Sequence, residues 1–354
     1  MNTGAFVKKL KLVSRIVSQK SILPILTHVL IRAEGVEVAL STTNLDVSIT
    51  TTCEATIETP GVIAVPVKSL LDVMSQISEG ETHIFLDKSH VRIAAGAFKM
   101  RLQSMAAIEF PQLPIVPAGG MLLPGEAFKQ MVKRVRYAIS ESDKRYFLNG
   151  ALMTLTANTL ALTTTDGKRV SLAVSTRDVA GPALEIIVPT KTLDVLLMDE
   201  AHEDLMFVMA EHQMFFVAED NVLTSRMVDG LFPNVKRIIP LTNDNVADVP
   251  RAAMLSALKR VSLAAGDQRG IVLSLSANSA SIAAANAQVG DASEHVTVGY
   301  SGPDLKIAFE WPFLSEFLSH ASGANVTAAF GGPQTPALWS DGEEFVNVIM
   351  QMRT

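Results

Sequence analysis

The stretch RYFLNGALMTLTANTLALTTTDGKRVSLAV, residues 145–174, indicates the fold of the whole chain. Apolar and polar residues alternate along three short runs, and the pairs Ala157-Asn158 and Asp166-Gly167 separate the runs. Alternation with a period of two, interrupted by Asn and Asp-Gly turns, is typical of an antiparallel meander. The stretch therefore predicts three consecutive strands joined by tight turns.

The same pattern occurs at two other places in the chain, in residues 25–52 and 271–298. The starts that we align, Leu26, Leu148 and Ile271, lie 122 and 123 residues apart. This spacing is close to one third of the 354 residues. The sequence therefore predicts three copies of one unit, with domains at about 1–117, 118–245 and 246–354.

Each copy combines two segments of helical period with several short strands. The first segment of each copy has an apolar stripe, such as Phe6, Leu10 and Val13, and a basic face. In the first two copies the basic face comprises Lys8, Lys11, Arg15, Lys129, Lys133 and Arg136. The order helix, strands, helix, strands predicts an α+β fold with antiparallel sheets covered by helices on one face. The Pro-rich segments 113–124 and 239–250 are predicted to be linkers.

Composition narrows the class of protein further. The chain is 48% hydrophobic, yet no apolar run approaches the roughly 18 residues that a membrane helix needs. Its single cysteine, Cys53, excludes an internal disulfide framework and favours a reducing, cytoplasmic setting. The net charge is −6, but residues 1–33 contain six basic residues and no acidic one. A surface that binds phosphates needs a local positive face, so binding to nucleic acid stays open.

An enzyme is the first alternative, and the motifs do not favour it. The seven histidines are scattered, none in an HExxH motif, and the chain has no Gly-x-Ser-x-Gly elbow, GxxxxGK[ST] or GxGxxG. We therefore predict no catalytic residue, no metal site and no cofactor. The second alternative is a non-catalytic repeat protein that binds only other proteins, which explains the repeats but not the basic helices.

Several motifs, in order along almost the whole chain, resemble one known family. They are LPIL at 23–26, RYFLNG at 145–150, TDGKR at 165–169, VDGLFP at 228–233 and MQMR at 350–353. The chain resembles the bacterial DNA polymerase III beta subunit, the sliding clamp that confers processivity in DNA replication. The resemblance implies three clamp-type domains and a head-to-tail homodimer that closes into a ring, with paired helices inside and antiparallel sheets outside. It also implies duplex DNA, the polymerase III alpha subunit, the clamp loader, and other polymerases and repair proteins as partners.

The resemblance also implies three sets of site residues. Residues at DNA-contacting positions are Lys20, Lys68, Ser142, Tyr146 and Lys191. Residues at the dimer seam are Met100, Leu102, Ser262 and Leu263. A cleft for short partner peptides would be formed by Leu148, Thr165, Gly167, Arg169, Val170, Pro233, Arg237, Ile238, Phe313, Val348, Ile349, Met350, Met352 and Arg353. In this cleft Arg169 and Arg353 are expected at the rim, and Gln351 stands where the family commonly has proline.

Overall fold

A computed structural model of the chain describes residues 1–354 except 18–20, 78–79, 88, 141–143, 177–182, 199–203, 241, 333–334 and 353–354. The first copy of the repeat contains helices α1 (Thr3–Ser14) and α2 (Val67–Met74) and strands β1 (His28–Glu34), β2 (Glu37–Thr43), β3 (Val47–Glu54), β4 (Gly61–Pro66), β5 (His83–Asp87), β6 (His90–Ala95) and β7 (Phe98–Gln103). The second contains helices α3 (Gly125–Arg136) and α4 (Thr190–Met198) and strands β8 (Met121–Leu123), β9 (Gly150–Leu155), β10 (Leu160–Thr165), β11 (Arg169–Ser175), β12 (Leu184–Pro189), β13 (Leu205–Ala210), β14 (Gln213–Ala218) and β15 (Asn221–Arg226). The third contains helices α5 (Arg251–Val261) and α6 (Trp311–His320) and strands β16 (Asn245–Pro250), β17 (Gly270–Ser276), β18 (Ser279–Asn286), β19 (Gly290–Thr297), β20 (Gly299–Tyr300), β21 (Leu305–Glu310), β22 (Asn325–Phe330), β23 (Ala337–Asp341) and β24 (Phe345–Ile349). The α+β class and the threefold repeat are therefore confirmed.

The first helix of each copy and the turn that follows it bury one apolar stripe with the same spacing. The stripes are Phe6-Leu10-Val13-Ile16, Phe128-Val132-Val135-Ala138 and Met254-Leu258-Val261-Ala264, and all twelve side chains are buried. Spacings of four, three and three residues keep these side chains on one side of a helix with 3.6 residues per turn. The match makes Ile16, Ala138 and Ala264 equivalent residues in the three copies.

Side-chain hydrogen bonds repeat as well. The Thr42 hydroxyl on β2 donates to the Val13 carbonyl at 2.7 Å, and the Thr164 hydroxyl on β10 donates to the Val135 carbonyl at 2.8 Å. In both copies the bond joins the end of the first helix to the second strand. Equivalent residues of the first two copies therefore lie 122 positions apart, as predicted.

The alignment of the third copy from sequence was wrong by three residues. The first strands begin at His28, Gly150 and Gly270, which are 122 and 120 residues apart. Helices α1 and α3 end 14 residues before the next strand, whereas α5 ends only nine residues before β17. Two short 3-10 turns fill this shorter connection, so a constant repeat length could not hold there.

The two proposed linkers also contain strands at their C-terminal ends. Strand β8 pairs with β13, and β16 pairs with both β22 and β20. Proline suggested loops here, but Pro124 follows β8 directly, and Pro250 is the last residue of β16. The predicted linkers are therefore correct only for their N-terminal parts.

Residues 1–126 and 191–227 form one compact unit. It contains an eight-stranded sheet with the order β4-β1-β2-β3-β15-β14-β13-β8. Strands β3 and β15 pair antiparallel, with Ile49 opposite Leu223, so the first and second copies share this sheet. The unit also contains a three-stranded sheet, β5-β6-β7, in which β7 is an edge strand among the described residues.

Residues 127–190 and 228–354 form the other compact unit. Its nine-stranded sheet has the order β12-β9-β10-β11-β24-β23-β22-β16-β20. Strands β11 and β24 pair antiparallel, with Ser171 opposite Asn347, so the second and third copies share this sheet. A four-stranded sheet, β19-β18-β17-β21, has β19 at its edge within the part of the chain that the structure describes. The fully buried Trp339 lies at the centre of the third copy's core, where its ring meets Phe330 edge-on.

Candidate functional site

The turn between β10 and β11, residues 165–169, is held by its own side chains. The Thr165 hydroxyl accepts the Gly167 amide at 3.1 Å and donates to the Arg169 carbonyl at 2.6 Å. One carboxylate oxygen of Asp166 accepts the amides of Lys168 and Arg169 at 2.9 and 3.1 Å. Gly167 has a φ of 88°, which glycine adopts without steric cost. The turn therefore presents a fixed backbone.

Arg169 lies inside this region and not at an exposed rim, as the sequence suggested. Its side chain is only 7% exposed, and its guanidinium donates to Asp166 at 2.9 Å and to the Tyr137 carbonyl at 2.7 Å. It also forms an ion pair with Glu316 on α6. Three hydrogen bonds of Arg169 thus lie within the protein, and they make Arg169 a brace that holds the turn in place.

Aromatic rings enclose the same guanidinium. Its central carbon lies 4.5 Å from the centroid of the Phe313 ring and 5.1 Å from that of Tyr137. The Tyr137 ring also stacks on His320, with ring centroids 4.7 Å apart. Burial raises the pKa of Tyr137 far above its usual value, so this ring stays neutral. Sequence analysis missed both Tyr137 and Glu316, because no local motif marks either residue.

The C-terminal residues lie against the turn through backbone hydrogen bonds. The Met350 amide donates to the Lys168 carbonyl at 2.9 Å, and the Met352 amide donates to the Ala308 carbonyl at 2.8 Å. Between them, the Gln351 side chain donates to the carbonyls of Thr335 at 2.5 Å and Gly332 at 3.3 Å. These bonds fix the path of residues 350–352 after β24.

Beside the turn lies an apolar cluster that contains several residues of the expected cleft. Its buried members are Val170, Ile187, Phe232, Val235 and Val348, with Phe147, Leu152, Val228, Ile239 and Leu338 packed against them. Leu148 and Ile349 are buried, Ile238 and Met350 are about 40% exposed, Pro233 is half-buried and Arg237 is exposed. Arg353 lies outside the described residues. Together with the partly exposed Met350 and Ile238, the residues of this cluster offer an apolar surface that can accept apolar side chains.

The first copy has the same turn but different chemistry around it. Asn44 accepts the amides of Asp46 and Val47, Leu45 has a φ of 78°, and the Arg226 amide donates to the Asp46 carbonyl at 2.8 Å. The backbone turn is therefore repeated in the first copy. The surrounding side chains differ between the two turns. The turn after β2 is surrounded by Ser48, Thr224, Ser225 and Arg226, whereas the equivalent positions at the turn after β10 are Val170, Val348, Ile349 and Met350. Of these two sites, only the one at the turn after β10 is apolar.

The basic residues of the helices are divided between exposed and internal positions. Lys8 and Lys11 on α1, Arg15 directly after α1 and Lys133 on α3 are exposed, and Arg136 is half-buried. Lys129 is only 5% exposed, so its predicted place on an open basic face was wrong. It follows the buried Phe128 directly and lies on the edge of the apolar stripe.

The residues implied to contact DNA also differ in exposure. Lys68 and Tyr146 are exposed, whereas Lys20 and Ser142 lie outside the described residues. The Lys191 amine donates to the Ile16 carbonyl at 2.8 Å, and burial lowers its pKa. Lys191 therefore has an internal partner.

At the implied seam positions, Leu263 is 77% exposed, Met100 and Ser262 are half-buried, and Leu102 is buried within its own domain.

Over the described ranges, no group of three His, Cys, Asp or Glu residues could hold a metal ion. The same residues include no helix that is long and apolar enough to cross a membrane.

Comparison with known proteins gives one consistent family. Sequence profiles of the DNA polymerase III beta subunit match residues 1–114 as its N-terminal domain, 122–234 as its central domain and 236–353 as its C-terminal domain. A relative named beta sliding clamp, from Pseudomonas putida, is 28% identical over 359 residues, covering 99% of this chain and 98% of the relative.

Solved structures agree with the sequence profiles. The DNA polymerase III subunit beta of Pseudomonas aeruginosa is 26% identical, with a TM-score of 0.92 over 100% of this chain and 99% of that one. A sliding clamp from Bartonella birtlesii bound to griselimycin is 29% identical, with a TM-score of 0.93 over 100% of both chains. The chain therefore belongs to the DNA polymerase III beta subunit family.

Proposed function

We propose that this protein is a DNA sliding clamp: a non-catalytic, cytoplasmic homodimer that encircles duplex DNA and makes the replicative polymerase processive. Its partners would be the polymerase III alpha subunit, the clamp loader, and other polymerases and repair proteins that carry short binding motifs. The three domains are proposed at 1–117, 118–245 and 246–354. The following paragraphs give the features that support each part of this proposal.

The arrangement of the sheets supports a head-to-tail ring. Each copy has two halves, and each half contains one helix and the strands near it. The first half of copy one shares a sheet with the second half of copy two through β3–β15, and the first half of copy two shares a sheet with the second half of copy three through β11–β24. The first half of copy three and the second half of copy one have no such partner among the described residues. Their edge strands are β19 and β7, respectively. Pairing β19 of one subunit with β7 of another would complete the same sheet a third time. A heterologous contact of this kind closes after two subunits if its rotation is 180°.

The repeats also predict which residues meet at this seam. Within the chain, Leu223 lies opposite Ile49. Met100 is equivalent to Leu223, and Ala292 is equivalent to Ile49, so Met100 would lie opposite Ala292 of the second subunit. In the same register Arg101 would lie opposite Asp291, and both side chains are exposed in the single chain. Opposite charges directly across two strands stabilise the pairing. Leu263 and Ser262 are proposed to complete the seam.

Sequence-independent DNA binding is supported by the exposed basic residues of the helices. Lys8 and Lys11 on α1, Arg15 directly after α1 and Lys133 on α3 are exposed. Arg136, Tyr146, Lys20 and Ser142 remain proposed contacts from the resemblance. Contacts to phosphate carry no base-specific information, so such a surface lets a protein slide along the duplex.

Partner binding is supported by the apolar cluster beside the 165–169 turn. The proposed cleft is walled by Val170, Val348, Ile238 and Met350, with Pro233 and Arg237 at its margin. Burying one Leu and one Phe of a peptide contributes roughly 1.5–3 kcal/mol each, and ordering the peptide cancels part of this. We therefore expect micromolar affinity, at about −8 kcal/mol.

Retention on DNA of different topology tests the function. Protein loaded onto a circular plasmid by a clamp loader should stay bound and should be lost when the plasmid is cut once. A protein that binds only other proteins would not be retained on either form. Equal loss from circular and linear DNA would contradict encirclement.

A further inference from the structure

Lys191 joins the second copy of the repeat to the end of the first helix. It is the second residue of α4, and its amine donates to the Ile16 carbonyl, in the turn that follows α1, at 2.8 Å. Carbonyl groups at the C-terminal end of a helix lack intrahelical partners and carry partial negative charge. A cation from the next domain therefore satisfies and neutralises the end of α1.

A cation also reaches the helix end at the next junction, although from another position. The second residue of α6 is Pro312, which has no group that could replace the Lys191 amine. Instead, Arg169 donates to the Tyr137 carbonyl at 2.7 Å, one residue before Ala138, and also pairs with Glu316 of α6. At both junctions a cation thus binds a carbonyl just after the first helix of a copy. Lys191 comes from the next copy, whereas Arg169 belongs to the same copy as α3 and connects it to the next copy through Glu316.

The first helix of the third copy is α5, and the only other lysine at the position of Lys191 is Lys68 of the first copy. Ala264 is equivalent to Ile16, and it follows Leu263, which is 77% exposed. Lys68 is the second residue of α2, after Pro66, as Lys191 is the second residue of α4, after Pro189. Lys68 is exposed, and no described residue provides it with a hydrogen-bond or ion-pair partner.

We propose that the Lys68 amine of one subunit donates to the Ala264 carbonyl of a second copy, and that Lys68 is therefore a seam residue. The inference rests on the proposed head-to-tail ring, because only that arrangement brings α2 next to the end of α5. It assigns Lys68 a role that differs from the phosphate contact implied by the resemblance. Each dimer contains two equivalent seams, so each dimer contains two of these bonds.

The dissociation constant of the dimer tests this role. Lys68→Met keeps the aliphatic part of the side chain and removes the charged donor. A hydrogen bond with one charged partner changes an equilibrium by about tenfold or more, so two seams should weaken the dimer by about 100-fold. Lys11→Met, which removes an exposed lysine from α1, is the matched control and should leave the dimer unchanged. Sedimentation equilibrium at fixed salt measures both variants against the unaltered protein.

The outcomes separate the inference from the function on which it rests. If the unaltered protein dimerises and Lys68→Met dimerises equally tightly, Lys68 is not a seam residue, and a selective loss of DNA affinity would assign it to phosphate. If the unaltered protein is monomeric throughout, the ring itself is wrong. Circular dichroism of the separated monomers checks that Lys68→Met is folded, and Lys68→Glu should weaken the dimer further because it repels the helix end.

Discussion

The amide of Met350 donates to the carbonyl of Lys168 at 2.9 Å, which attaches the C-terminal residues to the turn that Arg169 holds. Arg169 in turn pairs with Asp166 inside the turn and with Glu316 on α6. The position of one wall of the proposed cleft therefore depends on a buried guanidinium that bonds to Asp166, Glu316 and the Tyr137 carbonyl within the protein. This arrangement leads to the first prediction.

Arg169→Gln should lower the free energy of unfolding by about 2–4 kcal/mol, because it leaves two carboxylates without their buried partner. Urea denaturation measures the change. Lys168→Gln is the matched control: Lys168 pairs with Glu310 at 2.6 Å but is mostly exposed, so its loss should cost less than about 1 kcal/mol. Equal effects of the two substitutions would show that Arg169 is not a brace.

Met350→Arg should weaken binding of a Leu- and Phe-containing partner peptide by about tenfold or more, because it places a charge in an apolar wall. The substitution copies the first copy of the repeat, where Arg226 occupies the equivalent position. Arg226→Met serves as the control and should leave peptide affinity unchanged. Calorimetry that finds the same affinity for Met350→Arg and the unaltered protein would place the cleft elsewhere.

Gln351→Pro should alter peptide affinity more than it alters the dimer. The substitution removes the side-chain bonds to the Gly332 and Thr335 carbonyls, which fix residues 350–352. The proposed seam at β7 and β19 does not include this segment. A change in the dimer dissociation constant larger than the change in peptide affinity would contradict this division.

Replacing Lys11, Arg15 and Lys133 by Gln should reduce the salt dependence of DNA binding. Each neutralised phosphate contributes about −0.9 to the slope of log affinity against log salt, so three lost contacts should flatten it by about 2.7. Lys129 is buried and should not contribute. An unchanged slope in the triple variant would mean that these helix faces do not meet the duplex.

Much of the fold could be predicted from the sequence because it rests on local periodicity. The sequence shows directly the apolar helix stripes that contain Phe6, Phe128 and Met254, and it shows the alternation that marks the strands. Lys129 was misplaced because whether the edge of a stripe is covered depends on distant elements. The third copy was misaligned because a shorter connection before Gly270 leaves no periodic signal.

The candidate site was less predictable, since its geometry depends on residues far apart in the chain. Arg169 was found through the TDGKR motif, but its partner Glu316 lies 147 residues away. No local pattern could reveal that pair, or that the Tyr137 ring contacts both Arg169 and His320. The repeats themselves gave the most useful signal, because Ser48 and Arg226 mark the equivalent place that lacks apolar walls.

Disulfide cross-linking across the proposed seam tests the central claim most directly. Met100→Cys and Ala292→Cys, combined in one chain with Cys53→Ser, should give a covalent dimer on mild oxidation. Residues directly opposite on antiparallel strands have the Cα separation that a disulfide needs. The shifted pair Met100→Cys with His295→Cys should cross-link poorly. A head-to-tail ring predicts efficient dimer formation with the first pair only, and failure of that pair, or equal cross-linking by both, would contradict it.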